Sequence, residues 1–193
     1  SEEPMLRNRI PQIRALNPAV IRLFVSEYYQ VINEQGNYDF TTLDNTVADI
    51  LKTGAKPFMS FCLKPKLFFP VVDHDITEPN DYQKWEEFVY RVVKHYVDQG
   101  VGINYWEVGN EVDIGEYGGT PYRFKPADYV RYYRHTVNAI LRADPSAKVG
   151  GPALADYKSA IMPALIDSCA KAGIPLHFLS WHHYGNNPKK YRD

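Results

Sequence analysis

Val20-Ile21-Arg22-Leu23-Phe24-Val25-Ser26-Glu27-Tyr28-Tyr29 reads as a buried strand running into a loop that contains no glycine. A short apolar run rich in β-branched and aromatic residues suits a strand better than a helix. The loop is the more informative half. A doubly wound nucleotide-binding sheet usually places its phosphate-binding glycines directly after the first strand. Neither G-x-G-x-x-G nor G-x-x-x-x-G-K occurs anywhere in the chain. Gly150-Gly151-Pro152 is no substitute, because proline removes a backbone donor where a phosphate needs one.

Outward from this stretch, short apolar runs alternate with segments of helical period. Strands are expected near residues 20–25, 57–63, 103–109, 148–151 and 178–182. Between them, Leu43, Val47, Ile50 and Leu51 mark one helix face, stopped by Gly54. Trp85, Phe88, Val89, Val92, Val93 and Tyr96 form the clearest stripe, with Asn80 or Asp81 available as its cap and Gly100 just past its end. Pro126 opens a helix carrying Tyr129, Tyr133, Val137, Ile140 and Leu141, and Ile161, Leu165, Ile166 and Cys169 mark another, closed by Gly173.

Strand and helix in strict alternation mean a parallel sheet with crossover helices. Such a sheet is either complete and doubly wound, or part of a (β/α)8 barrel. The strand centres step by about 39 residues, so eight units need roughly 310 residues, within the barrel range. With no phosphate loop, the barrel is the better reading, and the chain is then a fragment of one. No low-complexity linker interrupts it, so residues 1–193 are expected to form a single domain.

Composition narrows the function classes. With 22 Lys and Arg against 23 Asp and Glu, the net charge of -1 offers no broad basic surface for nucleic acid or anionic lipid. No apolar run approaches the roughly 20 residues of a membrane span. Cys62 and Cys169, the only two cysteines, are too few for a disulfide framework and lack C-x-x-C spacing. Both sit in apolar stretches and are expected as buried thiols. Ser1-Glu2-Glu3-Pro4 shows no signal-peptide pattern, so its start is expected to be a processing or expression boundary; the compartment stays open. Aromatic residues reach 14%, and Tyr and Trp also make platforms for sugar rings.

Polar residues gather at the C-terminal strand ends, where parallel α/β folds build their sites: Glu27, Lys64, Asn110-Glu111 and His182-His183-Tyr184. Loops are polar everywhere, which accounts for Glu27 and Lys64 without a ligand. The segment Tyr105-Trp106-Glu107-Val108-Gly109-Asn110-Glu111 is harder to explain that way. A buried strand here delivers an amide and then a carboxylate at its mouth. Glycoside hydrolysis needs a carboxylic acid to protonate the leaving oxygen and profits from a donor on the sugar 2-hydroxyl. Adjacent histidines diverge, and no H-x-H or H-E-x-x-H spacing exists, so neither a metal nor a cofactor is expected.

Trp106-Glu107-Val108-Gly109-Asn110-Glu111 resembles the acid/base strand of the retaining (β/α)8 glycosidases. Tyr38-Asp39-Phe40, Leu43-Asp44, Gly54-Ala55-Lys56-Pro57-Phe58, Val149-Gly150-Gly151-Pro152-Ala153 and Phe178-Leu179-Ser180-Trp181-His182-His183-Tyr184 narrow the resemblance to glycoside hydrolase family 39, the β-xylosidase and α-L-iduronidase family. The similarity covers about residues 10 to 187, equivalent to the second through sixth strands of a family barrel. It implies a glycoside substrate, Glu111 as general acid/base, Asn110 as the 2-hydroxyl contact, and His182 and Tyr184 beside the sugar. Two residues apart on a strand, that pair is expected to share a face, with His183 turned away. The resemblance also implies a nucleophilic Glu on a seventh strand beyond Asp193, and remaining barrel segments from the rest of a parent chain. Glu107 would be a poor stand-in, about 13 Å back along an extended strand, and Glu27 comes from a strand where the family keeps no nucleophile. The sequence departs from the family at Val112 (often Pro), Gly109 (often Trp), Phe24 (often His) and Ser60 (often Glu).

Two other readings stand beside the retaining glycosidase: a saccharide-binding protein without catalysis, using the same polar and aromatic face, and a complete nucleotide-binding α/β domain. A second carboxylate about 5 Å from Glu111 separates the glycosidase from the first. Strand order separates it from the second.

Overall fold

The computed structural model describes residues 6–25, 29–71, 73, 76–114 and 123–185. Strands β1 (Val20–Val25), β2 (Lys56–Phe61), β3 (Tyr105–Val108), β4 (Lys148–Leu154) and β5 (Phe178–Trp181) are all parallel and lie side by side in chain order. Helices α2 (Thr41–Lys52), α3 (Tyr82–Asp98), α4 (Pro126–Ala143) and α5 (Ile161–Ala172) make the crossovers, and a short α1 (Ile10–Ala15) precedes β1. Right-handed crossovers between successive neighbours return on the same side, so the helices line one face. A doubly wound sheet reverses its order partway; this one never does. The topology is that of a barrel sector.

The helices form where the apolar stripes place them. Asp81, not Asn80, caps α3, its carboxylate accepting from the backbone N–H of Gln83 and Lys84. The six residues of its stripe are fully buried, and Gly100 ends it at φ +68, a conformation that glycine adopts without penalty. Trp85 of α3 donates its indole N–H to the Thr136 hydroxyl of α4 at 3.0 Å, tying neighbouring crossovers together. Cys62 and Cys169 are buried and take part in no disulfide. Among the described residues, no helix is long and apolar enough to cross a membrane.

Four strands differ from their expected bounds, β5 only by ending at Trp181 rather than at 182. β2 spans Lys56–Phe61 rather than 57–63, and β3 is the short Tyr105–Val108, because Gly109 at φ +93 turns the chain out of the sheet. β4 runs on to Leu154 rather than stopping at 151, through an irregularity between Pro152 and Leu154 where the Ser180 hydroxyl accepts the Ala153 N–H.

Alternation along the strands separates two faces. Leu23, Val25, Met59, Phe61, Trp106 and Val108 are buried in the core beneath the helices. On the inner face, Phe58, Tyr105 and Phe178 meet ring to ring, with centroids 5.5 to 6.0 Å apart. Phe178 reaches that cluster past β4 because residue 150 is glycine. A Cβ there would lie 2.3 Å from the Phe178 carbonyl and 2.6 Å from its ring.

Candidate functional site

The turn that follows β3 is pinned from three sides. The Gly109 N–H donates to Phe61 of β2 at 2.9 Å, and the Gly109 carbonyl accepts the Ser60 hydroxyl at 2.8 Å. From α4, the buried Tyr129 hydroxyl donates to the Val108 carbonyl at 2.7 Å, and burial holds that phenol far above its ordinary pKa. Tyr129 fits because residue 151 is glycine: a Cβ there would meet its hydroxyl at 2.7 Å. From β4, the Ala153 carbonyl accepts the Glu111 N–H at 2.7 Å, with Glu111 in the left-handed region at φ +49. One turn on, the Asp113 carboxylate accepts the N–H groups of Ala155 and Asp156 at 2.8 and 3.1 Å.

Two departures from the family pattern form one packing solution here. A Cβ on Gly109 would lie 2.6 Å from Cγ1 of the buried Val112. Ser60 bonds the turn directly, and Phe24 lies under the Arg22 guanidinium, 4.7 Å from its ring centroid.

Asn110 and Glu111 are both buried, at 6% and 5% exposure. The Asn110 amide oxygen accepts from Arg22 Nη2 at 3.0 Å, and the same guanidinium donates through Nε to Glu107 Oε2 at 2.7 Å. Glu107, 2% exposed, is therefore held in an ion pair with the partly exposed Arg22 beneath the site rather than facing a substrate. Arg22 fixes the amide with its oxygen inward and its NH2 edge turned the other way.

Glu111 Oε1 lies 2.8 Å from His182 Nδ1 and also accepts the Tyr184 hydroxyl. That bond to a carboxylate raises the Tyr184 pKa above the ordinary phenol value. Both contacts fall on one oxygen; Oε2 takes part in neither. The four residues singled out from sequence are thus brought together, although not by the strand alternation expected for His182 and Tyr184. β5 ends at Trp181, and those side chains converge from the segment beyond it, where the His182 N–H still donates to the Leu154 carbonyl.

Lys64 lies apart from this cluster, and Glu27 falls outside the described residues. Sequence reasoning missed Arg22, Tyr129 and Asp113. The signal for Arg22 was present: a lone Glu within one buried strand requires a partner, and a lone Arg within an apolar run offers one. Among the described residues, no group of three or more His, Cys, Asp or Glu side chains is placed to hold a metal ion.

The model of the glycosyl hydrolases family 39 matches residues 13–192. A β-xylosidase of Caldicellulosiruptor saccharolyticus is 29% identical over 79% of this chain and 33% of its own length. One from Geobacillus stearothermophilus is 29% identical over 76% of this chain and 31% of its own length. The chain therefore spans about a third of the curated relatives that it matches. Among solved structures, the family 39 enzyme of Xanthomonas axonopodis pv. citri superposes with a TM-score of 0.78 at 23% identity, over 96% of this chain and 38% of that one. A monomeric β-xylosidase from Caulobacter crescentus gives 0.75 at 24% identity, over 97% of this chain and 41% of that one. These similarities extend the barrel-sector topology to the fold of complete family enzymes.

Proposed function

This chain belongs to glycoside hydrolase family 39, and on that premise we propose that the barrel built around it is a retaining, β-xylosidase-like glycoside hydrolase with Glu111 as its general acid/base. The observation that carries the reading is the convergence on Glu111. A buried carboxylate stands at a strand mouth with one oxygen held by His182 and Tyr184 and a fixed amide beside it. Oε1 takes both of these contacts, so Oε2 is the oxygen assigned to donate the proton. In the first step a carboxylate from a later strand attacks the anomeric carbon. The bond to the leaving oxygen breaks, and that oxygen takes the proton from Glu111. In the second step the Glu111 carboxylate takes a proton from water as the water displaces the enzyme carboxylate, which frees the sugar and restores both groups. The Asn110 NH2 edge donates to the sugar 2-hydroxyl. No cofactor enters this scheme.

The attacking carboxylate needs to stand about 5 Å from Glu111. Glu107 is committed to Arg22, so that group is assigned to barrel segments beyond these five strands. The 193-residue chain by itself is then expected not to sustain turnover of aryl glycosides. Sustained turnover, lost in Glu111→Ala, would show a nucleophile within it.

The direct test is Glu111→Gln in a polypeptide carrying the complete barrel. Glycosides with poor leaving groups are expected to slow severely, and activated aryl glycosides much less, because a good leaving group departs without protonation. Equal loss on both would remove Glu111 from the acid role.

A further inference from the structure

Glu111 and His182 stand beyond the ends of β3 and β5, strands that do not pair because β4 lies between them. The backbone of each is fastened to the same short stretch at the end of β4. The Ala153 carbonyl accepts the Glu111 N–H at 2.7 Å, and the next carbonyl, that of Leu154, accepts the His182 N–H at 2.6 Å. On its β5 side the Ala153 N–H donates to the Ser180 hydroxyl at 3.0 Å. The placing of this stretch therefore sets the reach from the Glu111 carboxylate to the His182 ring, which is 2.8 Å.

Ordinary strand pairing does not hold it there. The ladder between β3 and β4 ends at Gly150, and the register between β4 and β5 shifts between Pro152 and Leu154. Ala153 at φ +52 and Glu111 at φ +49 are non-glycine residues in the left-handed region, joined by the bond just described. Such backbone persists where its surroundings over-determine it. Asp113 supplies that restraint. Its two carboxylate oxygens take the N–H groups of Ala155 and Asp156, the residues directly after Leu154, one oxygen to each. A charged acceptor with two fixed donors makes a stronger and more directional attachment than a neutral bond. Asp113 is braced in turn: Arg123 Nε donates to its carbonyl at 2.9 Å, and the Phe124 N–H donates to the Val112 carbonyl at 2.8 Å. The Asp113 side chain bonds to backbone rather than to Glu111 or His182, yet it clamps the turn that carries one to the strand end that carries the other.

We propose that Asp113 is a positioning residue for proton donation: by fixing the end of β4 it keeps Glu111 Oε1 against His182, with Oε2 left to donate. The proposal rests on the glycosidase reading for its chemistry and on the clamp for its geometry. A misplacement of about 1 Å, made at a distance from the reacting atoms, costs on the order of a hundredfold. In a polypeptide carrying the complete barrel, Asp113→Ala should therefore slow glycosides with poor leaving groups roughly a hundredfold more than activated aryl glycosides. Asp113→Asn keeps one acceptor oxygen and should fall between Ala and the natural residue. The ratio of the two rates, taken on one sample, does not depend on how much of a variant is folded. An unchanged ratio in Asp113→Ala, beside a changed one in Glu111→Gln, would overturn this proposal alone, because a residue that merely stabilises the fold lowers both rates alike. Unchanged ratios in both variants would overturn the acid reading and this proposal with it. The clamp is read apart from the reaction in the 193-residue chain. There the ring-nitrogen resonances of His182 should move in Asp113→Ala in the same direction as in Glu111→Gln, while those of His95, paired with Asp44 between α2 and α3, stay in place. Unmoved His182 resonances would overturn the positioning role.

Discussion

Along the inner face of the sheet, Phe58, Tyr105 and Phe178 meet ring to ring, whereas a few residues away Arg22, Glu107 and Asn110 meet through charge and hydrogen bonds. The same strands supply both groups: Tyr105 and Glu107 are two residues apart on β3. The aromatic group holds together by shape, with a glycine on the intervening strand to admit one ring. The charged group holds together by completeness, since a buried carboxylate without its cation is among the costliest defects a fold can carry. Shape errors are absorbed in part by neighbouring side chains; a missing charge partner has no such relief.

That contrast is most exposed at Arg22. Arg22→Met leaves Glu107 buried and unpaired, and urea denaturation should report a loss of about 3 kcal/mol. Adding Glu107→Leu should recover most of it, because an apolar pair replaces a charged one. A double variant no more stable than the single would mean that packing, not charge, governs this end as well. Gly150→Ala probes the aromatic end and should lose about 2 kcal/mol through overpacking. Its contacts include the Phe178 carbonyl, a backbone atom that cannot swing aside, so Phe178→Leu should relieve only the part due to the ring.

A smaller effect is expected behind the turn. Tyr129→Phe removes the hydroxyl that caps the Val108 carbonyl and should lose about 1 kcal/mol by the same measurement. The smallest concerns a charge held away from the Arg22 pair. Lys64 sheds its proton near pH 8 when folded, but in the ordinary lysine range when unfolded. Between those values the unfolded chain binds more protons, so this residue adds stability as pH rises through the window. Lys64→Met should therefore raise the melting temperature slightly at pH 7, and the gain should vanish above the ordinary lysine range. A gain independent of pH would assign the effect to side-chain packing.

Much of this was legible in the sequence, for reasons that differ between elements. The stripe from Trp85 to Tyr96 announces α3 because six large apolar residues at helical spacing have one solution. Asn110-Glu111 stood out because the buried strand before it fixes where the pair emerges. The end of β4 was not legible: Pro152 usually stops a strand, but here the Ser180 hydroxyl, a tertiary partner, accepts the Ala153 N–H at the irregularity and pairing resumes at Leu154. Arg22 was read as part of an apolar run, and its partner lies 85 residues on, where no local pattern can point. The convergence of His182 and Tyr184 on one carboxylate oxygen likewise depends on the path beyond β5, which strand alternation does not describe.

The unbroken order of the strands also bears on how the chain reaches this state. Each strand pairs only with the one made just before it and the one made just after, at separations of roughly 30 to 50 residues, so no pairing waits for a distant segment. Emerging from the ribosome, the sheet can grow by accretion, each βα unit docking on a finished edge. The sequence also sets a timetable: Arg22 and Glu107 lie on strands separated by β2, so the buried charge cannot be matched until the third strand has docked. Until then the edge that awaits it is the part of the nascent chain most open to a chaperone.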